Sequence, residues 1–380
     1  MSRSRFRPRH LKIALRFFFS TGEPSGELSA IHLATEIAAR DSSASFEGIG
    51  AEQMERFGFK LWATNRGWAS ITPVSGIAKA PHLYRTKETT AQRLIADPPD
   101  RIVLVDFGAF NVRLAGALRK ANYGGRIIYY FAPGAWLDNA KQARAVARMT
   151  VPISAFLHQY EFYKGLGLEV HYFGHPLASR YELRPPPSVA SPSGGSVALL
   201  PGSRAAELEH HIPLLLDALE RLRTHRPDVI AYAVAATDVA EKILRDAIAN
   251  RTARIEVVRG TEAALKSVDA SWIASGTAVL EAALLGAPCV VFYHMTPLQA
   301  RIARYLYRGR FVALSNLIAG REIVPEFVQE KARPELLAAA MDAVLKNPLA
   351  QYNALRELRP KIGDRDALPR IADFVLAQQT

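Results

Sequence analysis

Two short stretches of the sequence hold residue types suited to gripping a diphosphate. Ser275-Gly276-Thr277 heads an apolar helical pattern that runs to Leu285 and Gly286. A helix that starts on such a turn offers unpaired backbone amides and the positive end of its dipole to an anion. Glu281 lies four residues beyond Thr277, which puts a carboxylate on the same side one turn later. Amides for phosphates and a carboxylate for ribose hydroxyls together suit a nucleoside diphosphate, although a plain Ser-Gly cap on a core helix explains this stretch equally well by itself. The second stretch is Pro201-Gly202-Ser203-Arg204 with Glu207. There an apolar run at 197–200 feeds a helical pattern of Leu208, Ile212, Leu215, Leu216 and Leu219. Ser203 is expected to cap that helix, and Arg204 offers a fork of donors to phosphate oxygens. Two turns of this chemistry, about 70 residues apart, favour a nucleotide over coincidence.

Carboxylates supply the other half of a reaction. The first apolar run, read as a strand over 12–20, delivers Glu23 and Ser25 in the turn Thr21-Gly22-Glu23-Pro24-Ser25-Gly26-Glu27, and the run at 101–105 delivers Asp106. In open parallel sheets ligands sit beyond the carboxyl ends of the strands; a single acid at a strand end is about as often a helix cap, but two of them converging on one cleft suit acid-base work. The turn lacks the G-x-G-x-x-G spacing of a dinucleotide site, which weighs against a nicotinamide enzyme.

The elements that must position these residues follow from the alternation of apolar runs with amphipathic helical patterns. Strands are expected at 12–20, 101–106 and 126–131, with helices at 28–39, 112–121 and 140–149. A Pro/Ser/Gly-rich stretch interrupts the rhythm at 182–196, after which strands are expected at 197–200, 229–235, 253–258, 270–274 and 289–293. The fold class is α/β, with two doubly wound Rossmann-like domains facing a cleft. The expected division is a basic tail at 1–10, an acceptor-binding domain at 11–181, a linker at 182–196, a nucleotide-sugar domain at 197–345, and C-terminal helices at 346–380 packing back on the first domain.

Composition excludes several classes. The 380 residues are 49% hydrophobic and 22% charged, enough for two full cores and unlike a disordered chain. The single cysteine, Cys289, lies in an apolar run and reads as a buried small side chain; no His/Cys cluster suggests a metal. Of the net charge of +12, six charges (Arg3, Arg5, Arg7, Arg9, Lys12, Arg16) fall in the first 16 residues, so the tail reads either as a solvated arm or as a contact for anionic lipid. The remaining basic residues are scattered among acids, which argues against nucleic acid.

Taken with Phe173-Gly174-His175-Pro176-Leu177-Ala178 and Leu314-Ser315-Asn316-Leu317-Ile318-Ala319-Gly320-Arg321-Glu322, these motifs resemble, in order and over nearly the whole chain, the lipid-A-disaccharide synthase family of glycosyltransferases. The resemblance implies the GT-B fold and an inverting transfer from a UDP-acyl-glucosamine donor to an acyl-glucosamine phosphate acceptor. It also implies no metal or cofactor and a cytoplasmic enzyme held peripherally on the inner membrane; a homodimer is left open. The catalytic residues would be Asp106 and Glu23. The donor would meet Ser203, Arg204, Glu207, Ser275, Gly276, Thr277, Glu281 and Asn316, where a turn-forming role for Asn316 is the alternative. Ser25, Asn111 and His175 would serve the acceptor or the cleft, unless His175 is a hinge residue. Trp68, Ile71, Val74, Ile77 and Leu83 would enter the membrane. Departures lie on the acceptor side, where Ala109 replaces a family acid and 132–138 lacks the usual aromatic run. A related enzyme acting on another acceptor or epimerising a UDP-amino sugar, and a catalytically weak binder of UDP-sugar or membrane, are the competing readings.

Overall fold

The computed structural model describes residues 14–68, 73–133, 139–189, 192–249, 255–296, 300–301 and 310–378, with backbone alone for 73–80 and 205. The basic tail lies outside them. One sheet contains β1 (Arg16–Ser20), β2 (Ser45–Gly50), β3 (Lys60–Thr64), β4 (Arg101–Val105), β5 (Ile127–Tyr130), β6 (Val151–Ser154) and β7 (His171–Tyr172). The other contains β8 (Ser196–Leu200), β9 (Ile230–Ala235), β10 (Ile255–Arg259), β11 (Ala270–Ala274), β12 (Cys289–Tyr293) and β13 (Glu326–Val328). Every strand pair is parallel. The orders are β3-β2-β1-β4-β5-β6-β7 and β10-β9-β8-β11-β12-β13. Strand order therefore reverses between β1 and β4 in one sheet and between β8 and β11 in the other, and a crevice opens where such a reversal occurs.

The central strands are apolar throughout because helices cover both faces of each sheet. Phe17 and Phe19 of β1 enter one core layer while Phe18 enters the opposite layer, and all three are fully buried. In β8, Val197 and Leu199 face one layer and Ala198 and Leu200 the other. The continuous runs made these strands readable. Strand β2, the edge strands β3 and β13 and the short β6 and β7 were not anticipated, since SFEGIG, KLWAT and EFV mix polar and apolar residues and VPIS and HY are too short to carry a periodic signal.

Two corrections concern the domain borders. The expected linker is tied to the second domain: Arg184 N donates to Leu285 O at 2.9 Å, and Arg226 Nη1 to Gly194 O at 2.9 Å. The chain crosses between the sheets earlier, at Gly174 and His175, and His175 N donates to Ile362 O at 2.8 Å where the chain returns. The C-terminal helices also divide. Pro348–Ile362 packs on the second domain through Leu355, Leu358 and Ile362, and only Ala367–Ala377 covers the first sheet, burying Leu368, Ile371 and Val375 with Phe17, Phe19 and Leu33.

Candidate active site

The carboxyl ends of β1, β4, β8 and β11, the four strands that flank the two reversals, carry Glu23, Asp106, Arg204 and Ser275. After β4 the chain turns through Asp106 at φ +45° and Phe107 at φ +44° before the helix Gly108–Lys120. Two successive non-glycine residues in the left-handed region cost roughly 1–3 kcal/mol each, so the surroundings must hold them there. They do so by hydrogen bonds. Asp106 N donates to Tyr130 O at 2.9 Å, and Asp106 O accepts from Tyr129 Oη at 2.8 Å and from Asn111 Nδ2 at 2.9 Å. Asn111 Nδ2 also reaches Ser20 O at 3.2 Å and Val105 O at 3.1 Å, while its Oδ1 accepts from Ser20 Oγ at 2.6 Å. Fully buried and saturated, Asn111 does not face a substrate; its expected place in the cleft is corrected to a brace beneath Asp106. Burial pushes the Asp106 carboxyl up to about 6, the Glu23 charge adds to the rise, and the Phe107 amide opposes it by a hydrogen bond.

Phe107 packs its ring over Gly22, where a Cβ would come within 1.9 Å of it, so any side chain at that position would displace the ring. On the Phe107 ring's other contact lies Trp68, stacked with a centroid separation of 5.8 Å. Trp68 is 2% exposed and also meets Phe110, so its expected membrane role is corrected to a core one: an indole fully packed among aromatic rings is not free to enter an interface. Leu83 is half-buried against the same core. Ile71 and the side chains of Val74 and Ile77 lie outside the described residues.

Glu23 precedes the helix Pro24–Arg40, whose Pro24 at the first position suits a helix start, and makes no capping bond to it. Its Oε2 instead pairs with Arg204 Nη2 from the opposite domain at 2.8 Å. Arg204 Nη1 meets Glu207 Oε1 at 3.0 Å, and Tyr293 Oη donates to that same oxygen at 3.0 Å. Glu207 thus orients Arg204. Gly202 has φ +110°, and a Cβ there would stand 2.5 Å from Glu207 Oε2, so the carboxylate occupies the space that the glycine leaves. Arg204 itself, not Ser203, is the residue at the helix cap of Ala205–His225; Ser203 is exposed beside it. Ser25 is likewise exposed at the mouth. Beneath the turn, buried His211 bridges Pro201 O (2.6 Å from Nδ1) and His294 O (2.8 Å from Nε2), joining the ends of β8 and β12.

After β11, Gly276 caps the helix Thr277–Leu285 with exposed residues at 276 and 277, so its first amides are open to an anion. Ser275 Oγ is spent on Val312 O at 3.0 Å, leaving the backbone of this turn to meet a ligand. Glu281 is half-buried and accepts from Tyr181 Oη at 3.0 Å; burial raises its carboxyl above the ordinary range, against that hydrogen bond.

Asn316 and His175 are buried and turned to internal partners. Asn316 is fully buried, donating to Val324 O at 2.9 Å and Glu326 Oε2 at 3.2 Å and accepting from Ile323 N at 2.8 Å and Val324 N at 3.0 Å. With its donors and acceptor so occupied it closes a loop and has nothing left for a donor sugar. His175 is 7% exposed, its Nδ1 accepts from Leu177 N at 3.2 Å, and burial lowers it to about 3. It is a neutral, buried residue packed on Phe131 and Phe156. Sequence reasoning missed Tyr293, which ends β12 and was open to the same strand-end argument, and Tyr181, which lies in irregular chain with no such signal.

A sequence profile described as "Lipid-A-disaccharide synthetase" matches residues 17–362, across both sheets and all four strand ends. The chain belongs to the lipid-A-disaccharide synthase family. It is 32% identical over 366 residues to the lipid-A-disaccharide synthase of Anaeromyxobacter dehalogenans (strain 2CP-C), covering 93% of this chain and 95% of that one. Against the Geobacter metallireducens enzyme of the same name the identity is 29% over 376 residues, covering 95% and 96%. As a member of this family the chain is a glycosyltransferase that forms the lipid A disaccharide. Its GT-B fold is shared with solved structures of low identity. These include a kitacinnamycin glycotransferase (TM-score 0.63, 15% identity, 97% and 100% coverage) and the S. aureus MnaA-UDP co-structure (0.63, 11%, 95% and 96%).

Proposed function

We propose that this synthase transfers an acylated glucosamine from UDP to an acylated glucosamine 1-phosphate with inversion, Asp106 removing the proton from the attacking hydroxyl. The reaction develops positive charge at the anomeric carbon and negative charge on the departing diphosphate, so it needs a base on one wall and anion-binding groups on the other. The observation that supports this best is the Glu23–Arg204 contact of 2.8 Å, which brings the acid-bearing strand ends of the first sheet against the anion-binding turn of the second. Arg204 and the amides at Gly276 and Thr277 take the diphosphate, Glu281 takes the ribose, and Glu207 with Tyr293 orients Arg204. Release of UDP on mixing a UDP-acyl-glucosamine with an acyl-glucosamine phosphate tests the reading; absence of release, with UDP binding retained, would reduce the protein to a binder.

Peripheral attachment to the inner membrane is part of the same proposal. Among the described residues no helix is long and apolar enough to cross a membrane. Each basic residue near an anionic surface contributes about 1 kcal/mol, and half of the net charge of +12 is in the first 16 residues. With Trp68 removed from the set, docking rests on that tail and on Ile71, Val74, Ile77 and the half-buried Leu83. Deleting residues 1–9 is expected to lower binding to phosphatidylserine vesicles at low salt with UDP affinity unchanged; equal cosedimentation of both proteins rejects a role for the tail.

A further inference from the structure

Arg204 has one fixed arm and one arm that crosses the cleft. The fixed arm is Nη1 on Glu207, a carboxylate whose side chain is 15% exposed and which Tyr293 also holds. The crossing arm is Nη2 on Glu23 Oε2, and this pair is the wetter of the two, with 46% of the Arg204 side chain and 22% of the Glu23 side chain exposed. Glu23 makes no capping bond to its own helix, so releasing it from Arg204 breaks no cap. Carboxylate and phosphate oxygens seek the same planar donor fork. A donor diphosphate that comes to Arg204 therefore meets a carboxylate already in place.

We propose that Glu23 occupies, in the ligand-free chain, the position on Arg204 that the donor diphosphate takes, so that donor binding breaks this bridge between the domains and frees Glu23 on the acceptor side. The inference rests on the assignment of Arg204 to the diphosphate. It gives Glu23 a role distinct from that of the base: an internal competitor whose release makes donor binding precede the completed acceptor half. The charge of Glu23 bears on Asp106, which borders the same cleft, so that carboxylate returns to Asp106's surroundings without its cationic partner only after the donor has arrived.

The test is calorimetric titration of UDP into the full chain as wild type, Glu23→Gln, Glu23→Ala, Arg204→Ala and the double variant Glu23→Ala/Arg204→Ala. A partly exposed ion pair is weak, so removing the competitor is expected to tighten UDP by about two- to fivefold in both Glu23 variants. Arg204→Ala is expected to weaken UDP by about tenfold or more, and adding Glu23→Ala to it should change nothing further. If Glu23→Ala leaves UDP affinity unchanged or weakens it while Arg204→Ala weakens it, the competition is wrong and the assignment of Arg204 stands. If Arg204→Ala leaves UDP affinity unchanged, the underlying assignment falls, and the competition with it.

Discussion

After β8 the chain turns on Gly202 at φ +110°, whereas after β4 it turns through Asp106 and Phe107 at +45° and +44°, neither of them glycine. Both turns carry a charged side chain to the edge of the cleft. On the side of Arg204 the backbone is relaxed by residue choice: a glycine stands at 202, where φ is left-handed, and positioning is left to side chains, with Glu207 and Tyr293 holding Arg204 and Tyr181 holding Glu281. On the base side the backbone itself is held off its preferred angles, and three hydrogen bonds to the amide and carbonyl of Asp106 keep it there. The difference fits the proposed tasks. An anion-binding arm can swing between partners, while a base must keep one direction, and a main chain pinned by buried Asn111 gives its carboxylate less freedom than a long guanidinium has.

Breaking the base side at its tip should have the largest effect. Asp106→Asn keeps size but cannot take a proton, so turnover should fall by about 10²- to 10⁴-fold with UDP affinity retained. Loss of less than about tenfold would move the base elsewhere. Next comes the donor side, where Arg204→Ala should cost about 1.5–3 kcal/mol in UDP binding, measured by calorimetry, with little change in thermal stability. The comparison predicts the reverse for the brace. Asn111→Ala should lower stability by about 1–3 kcal/mol in urea unfolding and reduce turnover as the strained turn relaxes, but leave UDP affinity alone. If Asn111→Ala weakened UDP instead, the two sides would not be separable in this way. Smallest is Tyr181→Phe, expected to weaken UDP by about 0.5–1.5 kcal/mol through a less well oriented Glu281; an unchanged affinity would remove Glu281 from the ribose.

The donor side was the more legible in the sequence because glycine-hydroxyl turns and a carboxylate one turn along a helix are local patterns. Ser275, Gly276 and Arg204 lie just beyond strand ends and at helix starts, as their spacing predicts. The base side was legible only in part. Asp106 at the end of an apolar run could be read directly, but its left-handed angles come from tertiary hydrogen bonds to Tyr129 and Asn111 that no local pattern encodes. Asn111 and Asn316 were misplaced for one reason. A motif asparagine looks the same whether its amide faces a ligand or closes a buried loop, and only the count of its partners separates the two. Trp68 was misread because a tryptophan beside apolar residues suits a membrane interface and a core stack equally well.

Asp106 as a base on a pinned turn implies a particular pH dependence. Its carboxyl is raised from the ordinary range to about 6 by burial, so below that pH it holds a proton and cannot accept one, and above it the carboxylate is free to act. The most direct measurement is kcat/KM for UDP release between pH 4.5 and 8 for the wild type and for the residual activity of Asp106→Asn. The wild type should rise through a single step near pH 6 to a plateau, and the variant should lack that step. A wild-type profile flat across pH 6, or the same step persisting in Asp106→Asn, would contradict the assignment of Asp106.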